Sequence, residues 1–380
     1  VSRPHLFARW LATAALLSLL ACSSTEEQPT TPAAISFDEP GARPVGHERF
    51  TLEDTVRGRS LQVQVWYPAA EGARAAAAEG VSLPELLPEG ADRDTLGALV
   101  AQAPERCTSR RTRSAPGVAP ADGVFPVVVF SHCSGCLRFS SSTVAERLAS
   151  HGIAVVAPDH AGGTLFDALA GQLAAIGDEF LGVRAGDLRA ALDAVLDPAH
   201  PSVPEALRGR FDGARVGVMG HSYGAATAGK VLQEDPRFRA GFAMAAPPAF
   251  LGGVEMTKIQ APVFLLLAGE DNSIGAVGNN LIRSNYKDAP GPAWLAEVAD
   301  AGHWSFSDIC ALTPSLQPGC GEGKRQSDKS DFTYLDIDVG RGIAAGYAAA
   351  FFAWTLLQRP EAEAYLSAAR PEPQVTLSRK

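Results

Sequence analysis

Six short segments of this chain are apolar almost without interruption: "FPVVVFSH", "IAVVAPDH", "ARVGVMG", "RAGFAMAA", "APVFLLLAG" and "AWLAEVAD". A strand with one wet face alternates apolar and polar side chains, whereas a strand covered on both faces has no need to. Helical patterns separate the runs. "SSTVAERLASHG" carries serine at its start and glycine at its end. "VRAGDLRAALDAVLD", "SYGAATAGKVLQE", "GNNLIRSNY" and the long "GRGIAAGYAAAFFAWTLLQ" complete the series. Buried strands alternating with helices predict an α/β fold, a mostly parallel central sheet with helices on both faces. "RSLQVQVWYPA" alternates and reads as an earlier strand.

This domain is expected over residues 45–360. Residues 70–123, rich in Ala, Pro, Gly and Arg, read as a surface insertion with one short helix. Residues 161–180 read as a loop or lid, and 361–380 as a C-terminal tail. The last helix is apolar nearly all round, so it is expected to pack deep. The formal charge of −9 argues against nucleic acid and gives no general attraction to anionic membranes.

The first residues read as an address. Arg3, His5 and Arg9 precede "WLATAALLSLLAC", a run shaped like a secretory signal. Its end, Leu19-Leu20-Ala21-Cys22, resembles a bacterial lipobox. That resemblance implies removal of residues 1–21, lipidation of the Cys22 thiol and a membrane partner reached through the anchor. Residues 23–44, beginning "SSTEEQPTTPAA", read as a flexible tether. The expected location is the bacterial cell envelope, where disulfides persist. Cys310 and Cys320 bracket a Pro/Gly-rich loop and are expected to pair there. Cys107 has Cys133 and Cys136 as partners, or the latter two pair locally. Cys133-x-x-Cys136 has no second ligand pair, so no metal is expected.

"RVGVMGHSYGAATAG" places Ser222 on a cramped turn between a strand and a helix. Gly220 and Gly224 leave room for a sharp backbone path, and the helix N-terminus favours developing negative charge. A serine hydroxyl needs a base. Of the eight histidines, His303 follows the strand "AWLAEVAD" in the short loop "AGHWSFSD" and is the chief candidate. His160, after another strand, is the lesser one. Asp271, after "PVFLLLAG", would orient the imidazole, with adjacent Glu270 the lesser candidate. The chain order Ser, Asp, His is that of α/β-hydrolases. Two backbone amides would form the oxyanion hole, those of Tyr223 and of Ser134 in "FSHCSGC".

The chain resembles α/β-hydrolases of the platelet-activating-factor acetylhydrolase and dienelactone hydrolase type. The resemblance rests on "LQVQVWYPA", "VVVFSHCSGCLRFSS", "AERLASHGIAVVAPDH", "GHSYGAAT" and "HWSFSD". It implies Ser222 as nucleophile, His303 as base, and the Ser134 and Tyr223 amides as oxyanion donors. Three features depart from the pattern. Cys133 stands where the family usually has glycine. Ala245 stands where animal acetylhydrolases carry their acid, which leaves that role to Asp271. Serine replaces the cysteine nucleophile of true dienelactone hydrolases. The expected activity is hydrolysis of short-chain acyl, phospholipid or polyester bonds through an acyl-enzyme, without cofactor. Trp304, Phe306 and residues 161–180 are candidates for lining an acyl pocket. A silent binding lipoprotein, a peptidase and an acyltransferase are the competing readings.

Overall fold

An antiparallel hairpin leads into the sheet, β1 (Val45–Asp54) pairing with β2 (Arg59–Pro68) from end to end. This computed structural model describes residues 1–2, 36–368 and 374–380. The signal sequence beyond Ser2, Cys22 and the tether through residue 35 lie outside the described residues. After the hairpin come α1 (Arg74–Glu79), α2 (Ala91–Gln102) and the short β3 (Ala115–Pro116). Alternation then begins with β4 (Phe125–Ser131), α3 (Ser142–Ser150) and β5 (Ala154–Pro158). It continues through α4 (Leu165–Leu169), α5 (Asp178–Leu196), β6 (Phe211–His221) and α6 (Tyr223–Glu234). β7 (Phe238–Met244), β8 (Val263–Ala268), α7 (Gly275–Asp288) and β9 (Ala293–Val298) follow. A small ribbon of β10 (Glu322–Lys324) and β11 (Asp331–Thr333) precedes α8 (Ile337–Leu357), α9 (Pro360–Ser367) and β12 (Val375–Arg379).

The main sheet has ten strands in the order β12-β9-β8-β7-β6-β4-β5-β2-β1-β3. The six central strands, β5 through β9 with β4 among them, run parallel. Their carboxyl ends therefore share one edge, where ligand sites of open α/β sheets form. The apolar runs are strands because both faces are covered. On β4, Val128 and Phe130 join a core with Val144 and Leu148 of α3 and Phe351 of α8. Val127 and Val129 join the opposite core with Leu188 of α5 and Val231 of α6. Each such fully buried side chain contributes roughly 1.5–3 kcal/mol. No helix among the described residues is long and apolar enough to cross a membrane; α8 buries most of its length inside the fold.

The structure moves several expected boundaries. The tether ends earlier than residue 44, because Phe37 is fully buried and stacks 5.0 Å from His151. The insertion contains two α-helices and two short 3-10 turns, and Leu83, Leu86 and Leu96 reach the main core. The tail is also structured: β12 adds an antiparallel edge strand to β9, pairing Leu377 with Ala296.

The expected Cys310–Cys320 bridge is not formed. Cys320 joins Cys107 instead, 213 residues away, and Cys133 pairs locally with Cys136. Cys310 is a free thiol turned into the core, where burial pushes its pKa up to about 12. The intervening loop folds on itself through a turn at Pro314–Leu316, with the Leu316 carbonyl accepting from the Ala311 amide. Closing so long a loop restrains the unfolded chain strongly. Cys107→Ser is expected to remove about 4 kcal/mol of stability, read as a guanidinium midpoint below that of the oxidised parent. A midpoint equal to that of the oxidised parent would contradict the pairing.

Candidate active site

Ser222 follows β6 and caps α6 with φ 56° and ψ −124°, a left-handed conformation that costs a non-glycine residue about 1–3 kcal/mol. Two contacts force the corner. A Cβ on Gly220 would lie 2.0 Å from the Gly224 carbonyl oxygen, and one on Gly224 would lie 1.9 Å from that of Ser131. The helix therefore starts hard against two strand ends, and the half-buried Ser222 side chain stands clear of both. Its Oγ donates to His303 Nε2 at 2.8 Å.

His303 arrives on the loop after β9. Its Nδ1–H donates to Asp271 Oδ2 at 2.7 Å, since an ionised carboxylate only accepts. Asp271 follows β8 and is fully buried. Its other oxygen accepts the Ser273 and Ile274 amides at 3.0 and 3.1 Å, so the carboxylate cannot swing away. Glu270 points elsewhere. Its oxygens take Arg325 Nη1 at 2.9 Å and the Gln326 amide at 2.7 Å. Ala245, at the end of β7, is buried with φ 53° and offers no carboxylate.

The imidazole loop is tied from below. His221 Nε2–H donates to the His303 carbonyl at 2.9 Å, and burial pushes the His221 pKa down to about 3, leaving that ring neutral. The Trp304 ring meets His303 edge-on at 4.9 Å. The Ser305 hydroxyl donates to the Gly319 carbonyl at 2.6 Å, next to the disulfide at Cys320. Trp304 and Phe306, candidates for an acyl pocket, are 5% and 1% exposed and belong to the core.

The two proposed oxyanion donors lie on facing segments. The Tyr223 amide is the first of α6, with no carbonyl one turn earlier to bind. The Ser134 amide enters no hydrogen bond among the described residues. Its loop is closed by the Cys133–Cys136 bridge and by bonds from Gly135 N–H to Gly163 and from Leu165 N–H to Cys136, at 2.9 and 2.8 Å. A disulfide thus stands where the resembled family usually has a glycine.

Beneath both segments lies a polar network that the sequence did not announce. Arg184 of α5 is fully buried. Its guanidinium donates to the His132 carbonyl, to Ser131 Oγ at 3.1 Å and to Thr227 Oγ1 at 3.1 Å, and lies 4.6 Å from the Tyr223 ring centre. It thereby links the Ser134 loop to the helix behind Ser222. His160 is also buried, between Ser131 Oγ at 2.9 Å and Asp187 Oδ2 at 3.0 Å. Burial and the nearby Arg184, Arg59 and Arg57 push its pKa well below the usual value. It makes no contact with Ser222 and is not a second base. The available signal was a charged side chain on the apolar face of "VRAGDLRAALDAVLD".

The family model described as platelet-activating factor acetylhydrolase, isoform II, matches residues 36–164 and 187–324, well over half of the chain. The chain belongs to this family. Within the family, it is 30% identical to the platelet-activating factor acetylhydrolase of Canis lupus familiaris and 28% identical to that of Bos taurus, each over 175 residues. Those stretches are 37% of this chain and 39% of each relative, so the chain spans well under half the length of the curated relatives it matches. A solved ferulic acid esterase from Streptomyces cinnamoneus superimposes with a TM-score of 0.66 and 26% identity, over 91% of this chain and 99% of that one. Residues 165–186 lie between the two stretches matched to the acetylhydrolase family. They include α4 and expose Leu169, Leu173 and Ile176. A Cβ on Gly135 would stand 3.9 Å from Leu173 and 3.5 Å from Ala168, so this segment overlies the loop of Ser134. Gly177 is bonded through its carbonyl to the Tyr223 hydroxyl at 2.8 Å.

Proposed function

We propose that this protein is a serine carboxylic-ester hydrolase acting on small esters with an apolar acyl or aromatic part. The observation that carries the reading is the unbroken hydrogen-bonded line from Ser222 Oγ through His303 to Asp271, at 2.8 and 2.7 Å. Ser222 Oγ attacks the ester carbonyl while His303 Nε2 takes its proton. The carbonyl oxygen becomes an oxyanion facing the Tyr223 and Ser134 amides, each donor worth roughly 3 kcal/mol in the transition state. Collapse of the intermediate expels the alcohol, which takes the proton from His303, and leaves an acyl-enzyme. Water, deprotonated by His303, then attacks the acyl carbonyl and frees the acid and Ser222.

The exposed apolar side chains Leu169, Leu173 and Ile176 beside the Ser134 loop support an apolar acyl or aryl group. The relatives' names, an acetylhydrolase and a ferulic acid esterase, agree with short acyl or cinnamoyl-type esters. Envelope secretion and lipid attachment at Cys22 belong to the same proposal, supported by the lipobox-like "LLAC". The test is a panel of p-nitrophenyl esters of rising acyl length, with methyl ferulate, a phospholipid and a polyester beside them. Saturable turnover of at least one ester is expected, with kcat/KM falling for the bulkiest substrates. A folded protein that turns over none would overturn the reading and leave a binding role.

A further inference from the structure

A cavity of about 710 Å³ is lined by none of the residues of the proposed active site. Residues 38–45, α1, the loop 105–113, α3 and the start of α8 enclose it. Eight arginines line it against five acidic residues, with no lysine, in a chain whose formal charge is −9. The guanidinium groups of Arg43, Arg106 and Arg113 make no hydrogen bond or ion pair among the described residues. Those of Arg110, Arg111 and Arg147 hydrogen-bond only to backbone carbonyls, with Glu39 and Asp38 near Arg147 and Glu85 near Arg111 as partial counter-charges. Among the described residues, Arg74 and Arg341 are the cavity arginines with a carboxylate within ion-pair distance. Glu146, at the cavity wall near Arg113, is a weak counter-charge. Its carboxyl is held by Ser114 Oγ at 2.7 Å and the Arg113 amide at 3.0 Å, and burial raises its pKa to about 8.

The arginine-bearing loop is also rigid. The Cys107–Cys320 bridge pins it, Arg341 Nη2 donates to the Cys107 carbonyl at 2.6 Å, and Thr108 Oγ1 donates to the Cys310 carbonyl at 2.7 Å. Like charges gathered in a concave wall repel one another and focus a positive potential into the space between them. Guanidinium forks match phosphate and carboxylate oxygens far better than lysine does. A single fork satisfies a planar carboxylate, whereas three free guanidiniums from two separate segments suit a tetrahedral anion with several acceptor oxygens. The volume lies within the range of small-molecule sites, with room for more than one phosphate group.

We propose that this cleft binds a phosphate-bearing ligand, its phosphate held by Arg43, Arg106 and Arg113. A soluble phosphate ester and an anionic lipid headgroup share this chemistry. The full chain and its Arg43→Gln, Arg106→Gln, Arg113→Gln triple variant are titrated calorimetrically with sodium pyrophosphate at low and moderate salt. Both are then tested for flotation with phosphatidylglycerol vesicles and with phosphatidylcholine vesicles. Expected is saturable binding of one probe that weakens with salt and falls at least about tenfold in the triple variant, with hydrolysis of a small ester unchanged. Pyrophosphate binding without a vesicle difference identifies a soluble ligand, whereas selective loss of phosphatidylglycerol binding identifies a headgroup. No saturable binding of either probe, or binding that the triple variant keeps, overturns the proposal.

Discussion

Ser222→Ala is expected to lower kcat for p-nitrophenyl acetate by on the order of 10⁶-fold, with thermal unfolding nearly unchanged. Alanine accepts the same left-handed backbone no worse than serine does. The contacts that shape the corner involve Gly220, Gly224 and the Ser131 carbonyl, none of which changes. What disappears is the hydroxyl bonded to His303. The amides of Tyr223 and Ser134 remain, so slow hydrolysis above the rate in water is expected to persist. Esterolysis at the parental rate in a folded variant would show that Ser222 is not the nucleophile.

Asp271→Asn is expected to cost about 10⁴-fold in kcat. An asparagine keeps the amide bonds from Ser273 and Ile274 on its carbonyl oxygen and turns an NH₂ toward His303. The imidazole must then accept at Nδ1 and carry its proton on Nε2, where it cannot receive the proton of Ser222. Protein stability changes little, because shape and burial are conserved. Glu270→Gln separates the two candidate acids. Glu270 faces Arg325 at the surface, where solvent screens the pair. Its kcat is expected to stay near the parental value. A severe loss in Glu270→Gln beside a mild one in Asp271→Asn would reverse the assignment. Steady-state kinetics beside circular dichroism on the two variants reads both outcomes.

The parallel sheet was legible because burial on both faces leaves a mark on composition: "PVVVF" and "VFLLLA" cannot be solvent-facing strands. The meeting of Ser222, Asp271 and His303 was legible for a topological reason. Each follows a parallel strand, so all three are delivered to the same edge, although 49 and 32 residues separate them along the chain. Elements held by partners rather than by their own pattern were hidden. Phe37 looks like tether until the surface beside His151 and Tyr365 covers it. β12, in "QVTLSRK", has little strand character until β9 offers it an edge. Cysteine spacing favoured a short loop between Cys310 and Cys320, while the bridge that forms depends on two distant loops brought together by the fold. Arg184 stands unmarked in the helical pattern "VRAGDLRAALDAVLD". Its full burial depends on acceptors from β4 and α6, which no local window contains.

The most direct measurement of the central claim is the mass of the protein after reaction with a fluorophosphonate ester, followed by peptide mapping. A single adduct on Ser222 is predicted, formed quickly in the parent and very slowly in His303→Ala, with ester hydrolysis lost in step with labelling. An adduct on another residue, or full labelling at Ser222 that leaves hydrolysis intact, would contradict it.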